Sequence, residues 1–353
     1  MSKGRTERGR IRITGFDTEP VTDRENSNDP AELTDRGKKT RTESPRRWQR
    51  GVWQFSRNRS ALIGLCIVVS MSIVAILARP IEIWGVTVQP VSLAPYPPSD
   101  ILWLTHDVSP YDPPSVTHPM GIDGEGRDIF SRVLAGGRYS ISIGLIVVLI
   151  TSTVGVVYGS ISGYYGGWID EFLMRLVDMI LAFPGLVLAL AIVAMFGSGY
   201  WQLVIAFSLF GWASYARLIR GEVLNVKESE YVVAAKALGA GDLSIIFRHI
   251  VPNAIPPVIV LATLNIGTVV IGVAALGFLG LGLSPATAEW GTMLEGARDS
   301  IIHGPGGDVR WWVTVFPGGA IFLFVLSINL IGDAINDTLD TRESDTAARN
   351  ELW

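Results

Sequence analysis

Residues that carry metal and redox chemistry are scarce in this sequence. Among 353 residues there is a single cysteine, Cys66, so no disulfide can form within the chain. The four histidines are scattered and show no spacing typical of metal ligands. Charged residues make up only 18% of the chain, against about 25% in a typical soluble domain. These shortages argue against an ordinary soluble enzyme that depends on a metal or a thiol.

Common catalytic motifs are also missing. The sequence contains no GxxxxGK[ST] phosphate-binding loop, no HExxH motif and no GxSxG motif. The glycines at 277, 280 and 282 lie in apolar sequence with no Lys-Ser/Thr pair after them, so they do not form a phosphate-binding loop. We therefore expect no enzymatic activity, no catalytic residue, no metal site and no cofactor.

Apolar residues, in contrast, make up 48% of the chain and come in blocks of bilayer length. Their pattern predicts an all-α polytopic membrane protein with six spans. The blocks are 60–78, 139–159, 172–196, 201–218, a 30-residue run at 254–283 that exceeds the length of one crossing, and 311–331. Glycines crowd the end of the long run, so we expect it to bend or re-enter there.

Positive charge is concentrated before the first span, where 15 of the 29 Lys and Arg residues lie within residues 1–60. The positive-inside rule then predicts cytoplasmic termini in the plasma membrane. Residues 1–44 have the composition of a disordered tail. Residues 45–59 interleave arginine with tryptophan, which is typical of an interfacial helix on anionic lipid. Nucleic-acid binding is the alternative, and the position directly before a span disfavours it.

A proline-rich segment, 79–137, follows the first span and is expected to be extracytoplasmic. Its carboxylates Asp123, Glu125 and Asp128 could suggest calcium, but their spacing does not fit an EF-hand loop, and an ion-paired entry into the next span is the favoured interpretation. Residues 138–333 would form a core of five spans, and 334–353 a short cytoplasmic tail with frayed structure.

Three features inside the core carry local predictions. Glycines at 155, 159, 163 and 167 recur every four residues, which places small residues on one helix face. Arg175 and Asp178 are one turn apart and able to pair. Pro184 should kink the third span.

The longest polar interruption of the apolar second half is the loop 229–253, SEYVVAAKALGAGDLSIIFRHIVPN. Its pattern predicts two short helices joined at glycine. Good helix formers lead up to Gly239, which can adopt the left-handed conformation beyond a helix end. Asp242 is expected to cap the second helix and Pro252 to end it.

This loop resembles the EAA loop of ABC importer permeases, since Ala234-Ala235, Gly239 and Ile250-x-Pro252 have the required spacing. Val233 stands in place of the first Glu and Val251 in place of the Leu. Other motifs look like the dipeptide/oligopeptide/nickel branch of that family. They are GIDGEGRD and SRVLAGGRYS before the second span, ALGFLGLG, EWGTML, and Asn329-x-x-Gly-Asp333. The resemblance extends from about residue 48 to residue 340.

The resemblance implies a type I ABC importer permease fold and one half of a transport pathway for di- or oligopeptides. Its partners would be a second permease subunit in a heterodimer, two ABC ATPase subunits and an extracytoplasmic substrate-binding protein. In that family the loop is a coupling helix that docks on the ATPase. The coupling residues are expected to be Tyr231, Ala234, Ala235, Lys236, Ala237, Leu238, Gly239, Ala240, Arg248, His249, Pro252 and Asn253.

Three alternatives stay open at this point. The same subunit could serve nickel or another small solute. An ion-gradient-driven secondary transporter is a different class, but such proteins carry charged residues near the midplane of their spans, where this chain has almost none. A membrane scaffold or receptor that transports nothing is the third.

Overall fold

The part of the chain that the computed structural model describes, residues 55–83, 86–302 and 310–350, is mostly helical. The predicted tail 1–44 and most of the predicted interfacial helix 45–59 lie outside the described residues. The helices are α1 (Arg59–Leu77), α2 (Ile129–Tyr165), α3 (Gly167–Leu181), α4 (Gly185–Phe196), α5 (Tyr200–Val226), α6 (Glu230–Ala237), α7 (Asp242–Ser244), α8 (Val251–Ala254), α9 (Pro256–Leu276), α10 (Trp290–Ile302) and α11 (Trp312–Asn350).

Five of these elements are long and apolar enough to cross a membrane: α1, α2, α5, α9 and α11. The pair α3 and α4 becomes a sixth when its two bent halves are taken as one span. This agrees with the six predicted spans and with the predicted fold class. Helix α11 continues to Asn350, so the described part of the predicted tail is helical rather than frayed.

The third predicted span differs most from its prediction. Instead of one kinked helix, α3 and α4 are separate helices that meet at an angle of 80°. Pro184 stands at the N-cap of α4 with an extended ψ of 119°. Proline has no N–H to continue the hydrogen bonds of α3, and its ring restricts the preceding residue, so the chain turns instead of bending gently. Helix α3 is strongly amphipathic, whereas α4 is apolar throughout.

Helices α2 and α5 pack closely through the glycine face of α2. A Cβ atom on Gly163 would lie 3.0 Å from the Arg220 carbonyl oxygen, and one on Gly155 would lie 2.7 Å from the Trp212 carbonyl oxygen. Gly159 is tighter still against Ala216. The predicted small-residue face is therefore an intramolecular helix contact. Gly167 is not part of it, because it is the first residue of α3, with φ +54° and no described atom within 4 Å of its would-be Cβ.

The ion pairs of α3 differ from the predicted one. Arg175 does not pair with Asp178 but lies 3.9 Å from Glu171 on its own helix, and both side chains are exposed. Asp178 accepts a hydrogen bond from Arg217 on α5. The prediction considered only neighbours within the helix, whereas α5 lies beside this face of α3 and supplies a cation.

The end of the bundle opposite residues 229–253 carries the segment between α1 and α2. It holds a two-stranded antiparallel sheet, β1 (Ile81–Ile83) and β2 (Val86–Gln89), and is otherwise irregular up to Asp128 apart from a short 3₁₀ turn. The Asp128 carboxylate caps α2 by accepting from the Ser131 backbone N–H at 2.8 Å. Helix α2 thus begins inside the segment predicted as loop.

Ion pairs hold this end together, as the favoured interpretation of its carboxylates predicted. The Arg127 side chain donates to Asp123 at 2.8 Å and lies 2.6 Å from Glu125. Arg132 is fully buried and donates to the carbonyl oxygens of Pro98 and Pro285. These arginines join three separate segments, which explains their position at the entry to α2.

The long apolar run 254–283 bends near its end, at the glycines where the sequence predicted a bend. Helix α9 passes into one π-helical turn, Gly277–Leu281, and Gly280 inside this turn leaves the helical conformation with φ +80°. The chain then leads to Glu289, whose buried carboxylate accepts from the Thr292 backbone N–H at 2.8 Å and from the Ser140 hydroxyl at 2.7 Å. This carboxylate fixes the start of α10 against α2.

Candidate functional site

The loop 229–253 begins with helix α6, whose end has a well-defined backbone geometry. Gly239 has φ +83°, as its position after the helix formers predicted. The Gly239 N–H donates to the Lys236 carbonyl at 3.0 Å, and the Ala240 N–H donates to the Ala235 carbonyl at 3.1 Å. This pair of bonds is a Schellman motif, which satisfies the last carbonyl groups of a helix and requires a left-handed residue. Gly239 supplies that residue.

The second half of the loop departs from the predicted helix in two details. Gly241 is the N-cap residue of α7, and the Asp242 side chain caps nothing; it accepts from the Tyr164 hydroxyl at 2.7 Å instead. Pro252 does not end the helix, because it stands in the first turn of α8, where a missing N–H costs no hydrogen bond. The helix therefore continues through Ala254.

A π-helical turn, Ile245–Ile250, joins α7 to α8. Single π turns within helices occur frequently at functional sites. Here the turn places Ile245, Ile246 and Ile250 inside and leaves Phe247 exposed. Arg248 and His249 occupy its last residues, as predicted for the end of this helix.

The inner face of the loop is anchored to the helix that precedes it. Val232, Ile245 and Ile250 are buried in one apolar cluster with Tyr215 and Ile219 of α5. On the polar side, Tyr164 at the end of α2 binds Asp242, as described above. These contacts fix the loop relative to α2 and α5 rather than leaving it as a free connector.

The outer face of the loop exposes large apolar side chains, with Leu238 89% exposed. The others are Tyr231, Val233, Leu243 and Phe247. Val233, Leu243 and Phe247 were not among the predicted coupling residues. In the sequence they can be recognised as bulky apolar residues within a polar connector.

Most of the predicted coupling residues are also exposed to solvent. The exposed ones are Tyr231, Ala234, Lys236, Ala237, Leu238, Gly239, Arg248, Pro252 and Asn253, and the half-buried ones are Ala235, Ala240 and His249. Asn253 donates its side-chain N–H to the His249 carbonyl at 2.7 Å, which links the end of the loop to the π turn. The structure thus brings the predicted residues onto one connected element.

Metal-ligating side chains are not clustered in the described ranges, 55–83, 86–302 and 310–350, where no group of three or more His, Cys, Asp or Glu could hold an ion. Asp123, Glu125 and Asp128, considered above for calcium, are instead engaged by Arg127 and by the start of α2.

Comparison with known proteins identifies the family. Residues 155–345 match the model of the binding-protein-dependent transport system inner membrane component, and residues 46–114 match the N-terminal TM domain of oligopeptide transport permease C. The chain belongs to the binding-protein-dependent transport system inner membrane component family. It is a permease subunit of an ABC importer in the peptide/nickel branch.

Several curated relatives are similar over most of the chain. The glutathione transport system permease protein GsiD of Escherichia coli O6:K15:H31 is 39% identical over 295 residues, which cover 84% of this chain and 90% of the relative. Its counterpart from Shigella sonnei has the same identity and coverage. GsiD of Pectobacterium atrosepticum is 43% identical over 229 residues, which cover 65% of this chain and 74% of the relative.

Family membership decides several of the open questions. The subunit is a multi-pass protein of the plasma membrane and not an enzyme, because ATP is hydrolysed by a separate subunit. Such permeases work with a substrate-binding protein, with ATPases and with a second permease. A secondary transporter driven by ion gradients and a scaffold that transports nothing are both excluded.

Proposed function

We propose that this chain forms half of the transmembrane pathway of a heterodimeric importer of short peptides, and that the loop 229–253 is the surface on which an ATPase subunit docks. The observation that carries the docking proposal is the two-sided character of the loop. Its inner face is buried against α5, and its outer face exposes large apolar side chains.

Exposed apolar clusters on a polar connector mark interaction sites, because water contact with them is unfavourable. Leu238 and Tyr231 extend from opposite ends of α6, and between them the helix exposes small side chains at Ala234 and Ala237. Small side chains let another backbone approach closely. A groove on the ATPase could therefore receive the helix with Leu238 and Tyr231 as its apolar anchors.

The anchored inner face explains how docking can drive transport. Two ATPase subunits that close on ATP would displace the loop, and the buried residues Val232 and Ile245 would carry α5 with it. Because α5 packs tightly on α2, both spans would shift as a unit. That displacement would switch the pathway between inward and outward access, as in other rigid-body transitions.

The proposed orientation places the loop and both termini in the cytoplasm. It rests on the basic residues before α1 and on Arg217, Arg220, Lys227 and Lys236 around the end of α5. The segment between α1 and α2 would then face the binding protein that delivers the substrate.

The substrate class rests on similarity. The relatives named above are glutathione transport permeases, and glutathione is itself a short peptide. The match to the N-terminal TM domain of oligopeptide transport permease C points in the same direction. Nickel or another small solute is the alternative, because the branch includes such transporters.

The decisive experiment is purification of the intact complex, with mass spectrometry of the ligand bound to its binding protein. We expect the ATPases and the second permease to co-purify and the ligand to be a short peptide. Uptake of labelled glutathione, a dipeptide and Ni²⁺ into proteoliposomes then ranks the substrates. Isolation of the chain without any ATPase would contradict the docking proposal. Uptake of Ni²⁺ without uptake of glutathione or the dipeptide would contradict the proposal of a peptide substrate.

A further inference from the structure

We propose that Asp170 and Arg220 are positioning residues whose ion pair makes α3 move with α5 when the coupling loop is displaced. The inference rests on the proposed function, because it assumes that the ATPases drive the loop. It concerns a different part of the chain, the contact through which motion of α5 would reach the bent pair α3 and α4.

The pair has the geometry of a strong, directional contact. Arg220 donates from Nε to one carboxylate oxygen of Asp170 and from a terminal nitrogen to the other, both at 2.6 Å. Such bidentate contact fixes the orientation of two groups as well as their distance. Ser162, near the end of α2, donates its hydroxyl to the same carboxylate. Asp170 therefore joins three helices.

The position of Asp170 makes it a sensitive point on α3. It lies in the first turn, where the helix dipole favours negative charge. Gly166, the N-cap residue, and Gly167, the first residue of α3, both have positive φ, and no described atom lies within 4 Å of a Cβ built on either. Side-chain packing therefore does not hold the chain at these two glycines, and the Asp170 carboxylate provides a specific contact one turn later.

Arg220 lies on the unit that the ATPases would move. It is two turns from the end of α5, and the loop follows that end directly. Lys227, just beyond α5, donates to the Gly163 carbonyl of α2 at 2.9 Å, which adds a polar contact to the glycine packing of these two helices. The Asp170–Arg220 pair thus connects α3 to a rigid unit of α2, α5 and the loop.

Apolar contact also joins α3 to α5, through Val177 against Ala213 and Ala216. This contact is non-directional and permits sliding, whereas the bidentate pair fixes one register. The neighbouring pair of Asp178 and Arg217 is more exposed, at 58% and 55%, against 15% and 32% for Asp170 and Arg220. Solvent screening weakens exposed pairs, so the half-buried pair is the one that can hold α3.

The test compares import per ATP hydrolysed in the complete complex, with its binding protein, in proteoliposomes. The variants are Asp170→Asn, Arg220→Gln, the neutral double variant and the charge swap Asp170→Arg with Arg220→Asp. We expect ATPase co-purification and ATP hydrolysis to persist in the neutral variants. Substrate imported per ATP should fall by about 2- to 30-fold, the range for changes along a coupling network.

The neutral double variant separates a coupling role from a simple penalty for an unpaired charge. If the pair only neutralises charge, removing both charges restores import per ATP to the wild-type ratio, and the proposal is overturned. If it holds α3, the double variant stays poorly coupled and the charge swap exceeds both single variants. The proposal is also overturned if the charge-swap variant reaches the membrane and imports no more substrate per ATP than the single variants. If the charge-swap variant does not reach the membrane, the neutral double variant alone decides.

A control variant completes the test, and ATPase co-purification distinguishes this proposal from the docking proposal. Glu171→Gln removes the exposed 3.9 Å contact on the same helix and should leave import per ATP unchanged. Loss of ATPase co-purification in the neutral double variant would contradict a coupling role and assign the pair to loop placement. Failure of docking itself would appear in variants of the loop, with Asp170 and Arg220 intact.

Discussion

The backbone N–H of Ala240 donates to the carbonyl oxygen of Ala235 at 3.1 Å, and this bond closes α6 at the centre of the proposed docking surface. The bond spans Gly239, the residue with φ +83°. A Cβ added to Gly239 would meet no atom of the described residues within 4 Å. Within that part of the chain, the position is therefore restricted by its backbone conformation and not by packing, which leaves the side-chain space open to a partner.

Gly239→Val tests this position. A left-handed conformation costs a residue with a Cβ about 1–2 kcal/mol, which a protein with several spans tolerates. The larger effect should come from the new side chain, which would obstruct the ATPase. We expect normal membrane levels, weaker ATPase co-purification and loss of ATP-driven uptake.

Gly241→Ala is the matched control for Gly239→Val. Gly241 is equally open, but its φ of −71° suits any residue. Its effect on uptake should be small. Near-normal uptake by Gly239→Val at matched expression would mean that the loop is an ordinary connector.

Leu238→Asp tests the apolar part of the proposed surface. The side chain is 89% exposed, so a charge there costs the isolated subunit almost nothing. In a docked complex the same charge would be buried without a partner. Leu238 is proposed as an apolar anchor of the interface, and the few hot-spot residues of an interface each cost about 2 kcal/mol or more when altered, so ATPase binding should weaken roughly 30-fold or further. Val116→Asp at the opposite end, also fully exposed, should bind the ATPase normally. Equal binding by both variants would argue that Leu238 lies outside the interface.

The sequence predicted the features that depend on local chemistry. The spans follow from the length of the apolar blocks. The turn at Gly239 follows from glycine itself, the residue type that tolerates positive φ best. The close contact of α2 with a neighbour follows from the spacing of Gly155, Gly159 and Gly163. In each case the deciding property belongs to the residues themselves.

Predictions that depended on the neighbouring helix were wrong. Asp178 pairs with Arg217 rather than Arg175, and Asp242 binds Tyr164 rather than the end of its own helix. Both acids had a plausible local partner, and tertiary packing supplied a better one. The size of the bend at Pro184, 80°, was not predicted either, because proline breaks the hydrogen bonds of a helix without specifying the angle that results.

The docking surface could be predicted only in part. The family spacing identified Gly239 and its neighbours, but it did not identify Leu243 and Phe247. Leu243 lies in α7 and Phe247 in the π turn that follows it, and both are exposed. The spacing of a motif does not say which apolar side chains near it stay exposed after packing.

Membrane orientation can be tested with single cysteines at Ser115 and Ser244 in a Cys66→Ser background. Both serines are exposed and lie at opposite ends of the bundle. The native Cys66 is exposed on α1 and must be removed first. In intact cells an impermeant thiol reagent should label Ser115→Cys alone, and Ser244→Cys should react only after the membrane is opened. Labelling of Ser244→Cys from outside would reverse the proposed orientation.

Gly159→Ala tests the packing of α2 on α5. Even a methyl group would overlap the Ala216 carbonyl and the Ile219 side chain, and a carbonyl in a helix cannot move aside. Overpacking of this kind costs about 1–3 kcal/mol. We expect a lower thermal unfolding temperature of the detergent-solubilised complex, together with reduced uptake, because the loop would no longer be held in register with α2.

Gly221→Ala is the control for this substitution, since Gly221 lies on α5 and no described atom is within 4 Å of its would-be Cβ. Alanine favours a helix over glycine by about 1 kcal/mol, so this variant should be as stable as the wild type or more so. The two variants add the same methyl group to neighbouring helices and differ only in what it meets. If Gly159→Ala unfolds at the same temperature as Gly221→Ala, α2 and α5 are not packed as closely as described, and the loop must be held by other contacts.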